Sequence, residues 1–242
     1  MVNNKLFFRG DPEWKARRRQ FITATDMASL FGLNKYSSPA KVLDSKFNPT
    51  FSDNAFTRMG RILEPAVGEA VLDSINTEVK FFAERAGNRI YYDESTRIAA
   101  TPDGYIGESI EKIDKIVELK STSHSNIKKW YKDPPLHYLT QLATQCYLIG
   151  VGSGLLAILS PVYPTLPVLI LELSLTQSMV DLMISEVKRF WDSVNDSGKT
   201  TFRVSTVSKR SMTEQLISNV KIVFDHEVQD PPPEFTSINW DD

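Results

Sequence analysis

The chain is expected to adopt a mixed α/β (α+β) fold, with a mixed central β-sheet flanked by helices. Three observations predict this. Capped, helix-periodic stretches fill the N-terminal part. A block of short alternating strand patterns, separated by turn residues, follows them. The second half then returns to helix, two strands and helix.

Taken in order, "FITATDMASLFGL" opens with Thr/Asp capping residues, continues with apolar spacing that fits a short helix, and stops at Gly32. "SSPAKVLDSKF" places Ser38 at an N-cap and Pro39 at the first helical position. A longer helix is predicted over 53–77, where Phe56, Met59, Leu63, Val67 and Val71 recur at three- and four-residue steps. Pro65 lies inside it and removes one backbone hydrogen bond, which predicts a kink. Strand patterns follow at 79–84, 88–93, 97–101 and 114–121, with Gly87 and the Asp-Gly pair at 103–104 as turn signals between them. A helix from Pro135 ends at Gly150, strands are predicted at 154–159 and 167–174, and a long amphipathic helix at 176–195.

Composition bounds the function classes. At 242 residues with 41% apolar and 24% charged side chains, the chain is an ordinary globular sequence with ample core. The longest apolar run, 155-LLAILS-160, falls well short of the ~18 residues of a membrane span and meets Pro161. The N-terminus lacks the apolar block of about 7–15 residues that a secretion signal needs. The single cysteine, Cys146, excludes an internal disulfide framework and any multi-thiolate metal site. A cytoplasmic protein without membrane partners is expected. The net charge of −2 hides a basic run, "WKARRR" at 14–19, and a second cluster at Lys128, Lys129 and Lys132. Residues 211–242 carry seven acidic side chains against one lysine. Such runs are as often solvated faces as binding surfaces.

The chemistry concentrates in "ATPDGYIG" and "VELKSTS". Side chains alternate faces along a strand, so Ile116, Glu118 and Lys120 point one way and Val117 and Leu119 the other. If the Asp-Gly turn closes a hairpin onto this strand, Asp103 reaches the same face. Two converging carboxylates repel unless one is protonated or a cation bridges them. Mg²⁺ suits such a pair, because it takes oxygen ligands and is held by one or two carboxylates with water and phosphate oxygens. Lys120 can then position an attacking water. An isolated Glu-x-Lys is more often an exposed pair worth well under ~1 kcal/mol, so the constellation carries the signal and the tripeptide does not. Glu64, beside Pro65, can point inward; Gln141 and Gln145, at i and i+4, share one face of the 136–150 helix opposite Leu139, Leu142, Cys146 and Ile149.

In order and spacing, "ITATDMASLFGLNKYSSP", "RMGRILEPAVGEAV", "ATPDGYIG", "VELKSTS" and "YLTQLATQCYLIG" resemble the phage lambda exonuclease / YqaJ family of the PD-(D/E)xK nuclease superfamily, over roughly residues 15–195. The resemblance implies a restriction-endonuclease-like core over 1–204, with 205–242 as an acidic, proline-containing extension. It implies Asp103 and Glu118 as metal-binding carboxylates, the Leu119 backbone carbonyl as a further ligand, Lys120 as catalytic lysine, Glu64 as a helical support of the metal site, directly or through water, and Gln141 as the glutamine of the following helix. Arg18, Thr25 and Thr101 match a terminal 5′-phosphate pocket; Arg17, Arg18 and Arg19 are consecutive, so a slip of one leaves either neighbour as the alternative. Threonine stands at both positions where the family has serine. The implied activity is Mg²⁺-dependent (alternatively Mn²⁺-dependent) 5′→3′ digestion of linear double-stranded DNA for recombination or repair. The implied partners are duplex ends, a single-strand annealing protein and two further copies in a ring-shaped homotrimer. The alternatives are an endonuclease on the same core and a DNA-binding or assembly module without turnover.

Overall fold

The computed structural model describes residues 2–8, 12–48, 55–82, 87–161, 166–195 and 198–226. The fold is the expected mixed α/β type, but its strands divide between two sheets. The first runs β1 (Asn3–Phe8), β4 (Gly87–Asp93), β5 (Ile98–Ala100) and β2 (Ile22–Thr23), with β2 and β5 parallel and the other pairs antiparallel. The second has the order β10 (Val220–His226), β9 (Val168–Ser174), β8 (Ser153–Leu159), β7 (Lys112–Ser121), β6 (Gly104–Ser109) and β3 (Lys80–Phe81). Only its β7–β8 step is parallel, and the crossover carries α5 (His124–Lys132) and α6 (Leu136–Ile149).

Strand alternation builds two cores, one on each face of the six-stranded sheet. Ile116, Leu156, Ile158, Leu169 and Leu171 join α2 (Ala24–Leu30), α6, α7 (Gln177–Asp192) and α8 (Thr206–Asn219) in the larger. Val117, Leu119, Leu155, Ala157 and Ile170 meet Val67 and Val71 of α4 (Ala55–Ile75) in the smaller. Between these neighbours Glu118 must face the larger core, against α6.

The helices start and stop where their local chemistry directs. In α3 (Pro39–Phe47) the Ser38 hydroxyl accepts the Lys41 N–H at 3.3 Å. Gly150, with φ 82°, ends α6 in the left-handed conformation that only glycine adopts without strain. In α4 the expected apolar face is only half realised. Val67 and Val71 are buried, whereas Met59 is 54% exposed, because the smaller core contacts the helix only C-terminal to Pro65. The expected start of this helix at 53–54, the end of the strand at 83–84 and the Phe56 side chain lie outside the described residues.

Two expectations change. The Asp103-Gly104 pair is not the hairpin turn. Gly104–Ser109 is itself a strand, and the reversal into β7 falls at Ile110 and Glu111. Asp103 instead sits where the chain leaves β5 of one sheet and enters β6 of the other. Gly104 is required there by close approach: a Cβ would meet Val79 Cγ1 at 2.7 Å and the Lys80 carbonyl at 3.1 Å. The second change concerns residues 206–226, expected within an extension. Here α8 buries Met212 and Leu216 completely, and β10 adds the edge strand, with Lys221 Nζ 2.9 Å from Glu172. Leu216→Ala should therefore cost about 2–5 kcal/mol, read as a lowered denaturant midpoint; an unchanged midpoint would mean that this segment contributes nothing to the core. Residues 227–242, with the acidic end, lie outside the described residues. Among the described residues no helix is long and apolar enough to cross a membrane.

Candidate active site

The central side chain is Glu118, fully buried on β7. A bare carboxylate there would carry a large desolvation cost, and three donors offset it. Gln141 Nε2 donates to Oε1 at 2.5 Å, Gln145 Nε2 donates to Oε2 at 2.6 Å, and the Lys120 ammonium pairs with Oε1. Both glutamines lie one turn apart on α6, facing the strand. Of the roughly four acceptor positions of a carboxylate, these donors take three and leave one on Oε2.

Asp103 reaches the same spot from the crossing between the sheets. Its Oδ2 accepts the Leu119 N–H at 3.0 Å and lies 4.0 Å from Lys120 Nζ. Its backbone is pinned by the Phe82 N–H, which donates to the Asp103 carbonyl at 3.1 Å. Burial and the nearby Glu118 charge push the Asp103 carboxyl up to about 8, with Glu64 adding to the effect. Lys120 behaves oppositely. Burial opposes its charge, but Glu118 and Asp103 outweigh burial and hold its pKa above the ordinary lysine value. Its ammonium also lies 5.2 Å from the centre of the Tyr138 ring. Glu64 comes from α4 on the opposite face of the sheet, half-buried, close enough for its charge to act on Asp103.

Two carboxyl groups, those of Asp103 and Glu118, thus share one ammonium, with Glu64 near enough for its charge to act on Asp103. The donor set is all oxygen, the chemistry of a hard divalent cation. Among the described residues no group of three His, Cys, Asp or Glu side chains forms a ready-made metal cage. Asp103 and Glu118 alone nevertheless fit Mg²⁺, which keeps several of its waters and needs only one or two carboxylates.

Beside this cluster lies a small cavity of about 70 Å³, lined by Arg18, Thr23, Ala24, Thr25, Ala100, Thr101, Gln141 and Gln145. It gathers Arg18 from the end of α1 (Pro12–Arg18), Thr25 from α2 and Thr101 from the end of β5, three residues spread over more than eighty positions. Arg17 points elsewhere, 3.3 Å from Glu13 and 3.6 Å from Glu94, which favours Arg18 among the consecutive arginines. The β2–α2 corner that carries Thr23 and Thr25 is fixed from below. Asp26 accepts from the Thr23 hydroxyl at 2.6 Å and from Lys46 Nζ at 2.6 Å. Burial opposes the Asp26 charge, yet Lys46 and Thr23 hold its pKa below the usual carboxylate range.

The structure therefore brings Asp103, Glu118, Lys120 and Gln141 to one place, with Glu64 on α4 near enough to act on Asp103, and Arg18, Thr25 and Thr101 to the adjoining cavity. Gln145 is the residue that sequence reasoning did not assign to the site. It is fully buried, clamps Glu118 and lines the cavity, and its Oε1 has no hydrogen-bond partner among the described residues. The signal was its i, i+4 spacing from Gln141.

The fold is similar to that of an alkaline exonuclease (LHK-Exo) from Laribacter hongkongensis, with TM-score 0.57 and 20% identity, over 75% of this chain and 91% of that one. It is likewise similar to LHK-Exo in complex with dAMP, with TM-score 0.53 and 18% identity over the same shares, 75% and 91%. The chain accordingly shares its overall fold with these two structures. No curated protein sequence matches the chain. The YqaJ-like viral recombinase domain matches residues 13–151, more than half of the sequence and every site residue named above, and the chain belongs to that family.

Proposed function

We propose that this protein is a divalent-metal-dependent exodeoxyribonuclease that digests linear double-stranded DNA from 5′ to 3′ and leaves 3′ single-stranded tails for recombination. The observation that carries the reading is the meeting of Asp103, Glu118 and Lys120 at one largely buried point, where two carboxyl groups share a single ammonium. Asp103 and Glu118 would hold Mg²⁺, or alternatively Mn²⁺, with the Leu119 carbonyl and Glu64, through water, completing the set. A bound ion of this kind screens the phosphate charge and lowers the pKa of an attacking water. Lys120, held protonated by its two carboxylates, orients that water and offsets charge that builds on the phosphate. Gln141 and Gln145 keep the Glu118 carboxylate aimed at it. The cavity of Arg18, Thr25 and Thr101 would seat the terminal 5′-phosphate, one cation and two hydroxyl donors against its oxygens. Family membership and fold support a nuclease role; a single-strand annealing protein, a ring-shaped homotrimer and a host cytoplasm complete the proposal.

A time course on linear duplex DNA labelled at either end, with Mg²⁺ and with EDTA, tests activity, metal need and polarity together. Loss of the 5′ label first, abolished by EDTA, is the expected result; release of label from the 3′ end first would overturn the polarity. Covalently closed circular DNA should remain intact, and its cleavage would establish an endonuclease instead. Arg18→Ala should slow degradation of 5′-phosphorylated ends by about tenfold or more while leaving 5′-hydroxyl ends nearly unchanged, the loss expected for one charge-assisted contact. Equal loss on both ends would mean general backbone binding, whose affinity falls steeply with salt.

A further inference from the structure

A series of aromatic rings leads away from the proposed catalytic lysine to the surface. The Lys120 ammonium lies over Tyr138, whose ring meets that of His137 with centroids 4.0 Å apart. His137 in turn meets Tyr36 edge-on at 6.5 Å, and Trp130 braces the pair at 6.3 Å from His137 and 5.5 Å from Tyr138. The inner rings are partly buried and pack α5 against α6. Tyr36 is different: it is 68% exposed, so its ring contributes little to the core. Lys35 Nζ lies over one face of that ring, 4.8 Å from its centre. An exposed ring that meets His137 edge-on and carries a lysine ammonium over one face offers its other face to a flat partner, with the lysine placed to meet that partner's phosphates.

We infer that Tyr36, met edge-on by His137 and with Lys35 over one face, is a stacking seat on its other face for one nucleobase of the DNA strand whose reacting phosphate lies at the Asp103–Glu118–Lys120 cluster. This rests on the proposed nuclease reading and adds a subsite to it. A stacked base engages the ring face without sequence preference, while Lys35 meets the neighbouring phosphate. The seat would hold the strand in line with the cluster and contribute to substrate affinity without touching the reacting atoms.

The test uses the full chain and a 5′-phosphorylated duplex carrying 2-aminopurine at each of its first three positions in turn. In EDTA, where no cleavage is expected, stacking on Tyr36 should quench the probe at one or more positions. Tyr36→Phe should keep that quench, and Tyr36→Ala should lose it with an unchanged melting temperature. In Mg²⁺, Tyr36→Ala should raise KM for linear duplex about tenfold with kcat within about twofold, the size of effect known for one base–aromatic stack. The absence of quench in the native chain, or quench and KM unaltered in Tyr36→Ala, would overturn the seat even if the chain degrades DNA. A chain that cuts no DNA yet quenches the probe through Tyr36 would instead overturn the nuclease reading and leave the seat standing.

Discussion

Lys120→Ala should lower cleavage of linear duplex DNA by about two to four powers of ten, the range for loss of a group that moves a proton or steadies developing charge. The substitution removes the only ammonium that pairs with Glu118 and, at 4.0 Å, the one nearest Asp103 among the described residues. Glu118 keeps the Gln141 and Gln145 donors, so the fold should survive with a modestly lower melting temperature. Duplex binding measured in EDTA should be nearly unchanged, because a single half-buried lysine contributes little to a backbone-wide electrostatic interaction. Lys120→Gln, which keeps a donor but not the charge, separates the two roles. If it cleaves like the unaltered chain, hydrogen bonding suffices and the charge is not needed. If the alanine variant itself cleaves at the native rate, Lys120 has no part in the reaction.

Asp103→Asn should abolish cleavage and at the same time make the metal-free protein more stable. Burial, Glu118 and Glu64 raise this carboxyl from 3.8 to about 8. The native state therefore holds a proton that the unfolded chain has already released, and stability from this group is fully present only below pH ~4. It declines as pH rises and is gone once pH passes about 8. Asparagine preserves an oxygen for the Leu119 N–H and carries no charge at any pH. In EDTA at pH 9 the variant should melt at least about 5 °C above the native chain, at about 2–4 °C per kcal/mol for this length. Adding Mg²⁺ should raise the melting temperature of the native chain and leave that of the variant unmoved. A metal-dependent rise that survives the substitution would remove Asp103 from the proposed ligand set. Equal melting in EDTA would show that its charge is already neutralised within the protein.

How much of this was legible beforehand differs from residue to residue. Glu118 and Lys120 were placed on one face by strand alternation alone, and the flanking Val117 and Leu119 do pack into the other core. Ser38-Pro39 and Gly150 marked helix ends, because caps act within a few residues. Asp103-Gly104 reads as a hairpin turn for the same reason: the dipeptide favours a bend, but which strand follows and which sheet it joins depend on partners far along the chain. Segment 206–226 reads as part of an extension because α8 buries only Met212 and Leu216, too sparse a stripe to stand out, and β10 is a largely exposed edge strand.

The sequence by itself determined the facing of side chains within each element, the capped helix boundaries and, through the ordered motifs, the resemblance to a nuclease family. Those properties follow from backbone periodicity and local hydrogen bonding, which a linear pattern records. Only the tertiary structure decided that the Gln141/Gln145 face meets a buried carboxylate rather than solvent, and that Arg18, Thr25 and Thr101 share one cavity. The displaced ionisation of Asp103 likewise belongs to three dimensions, since burial and Coulomb interactions sum over neighbours from β7 and α4 that no local pattern brings together.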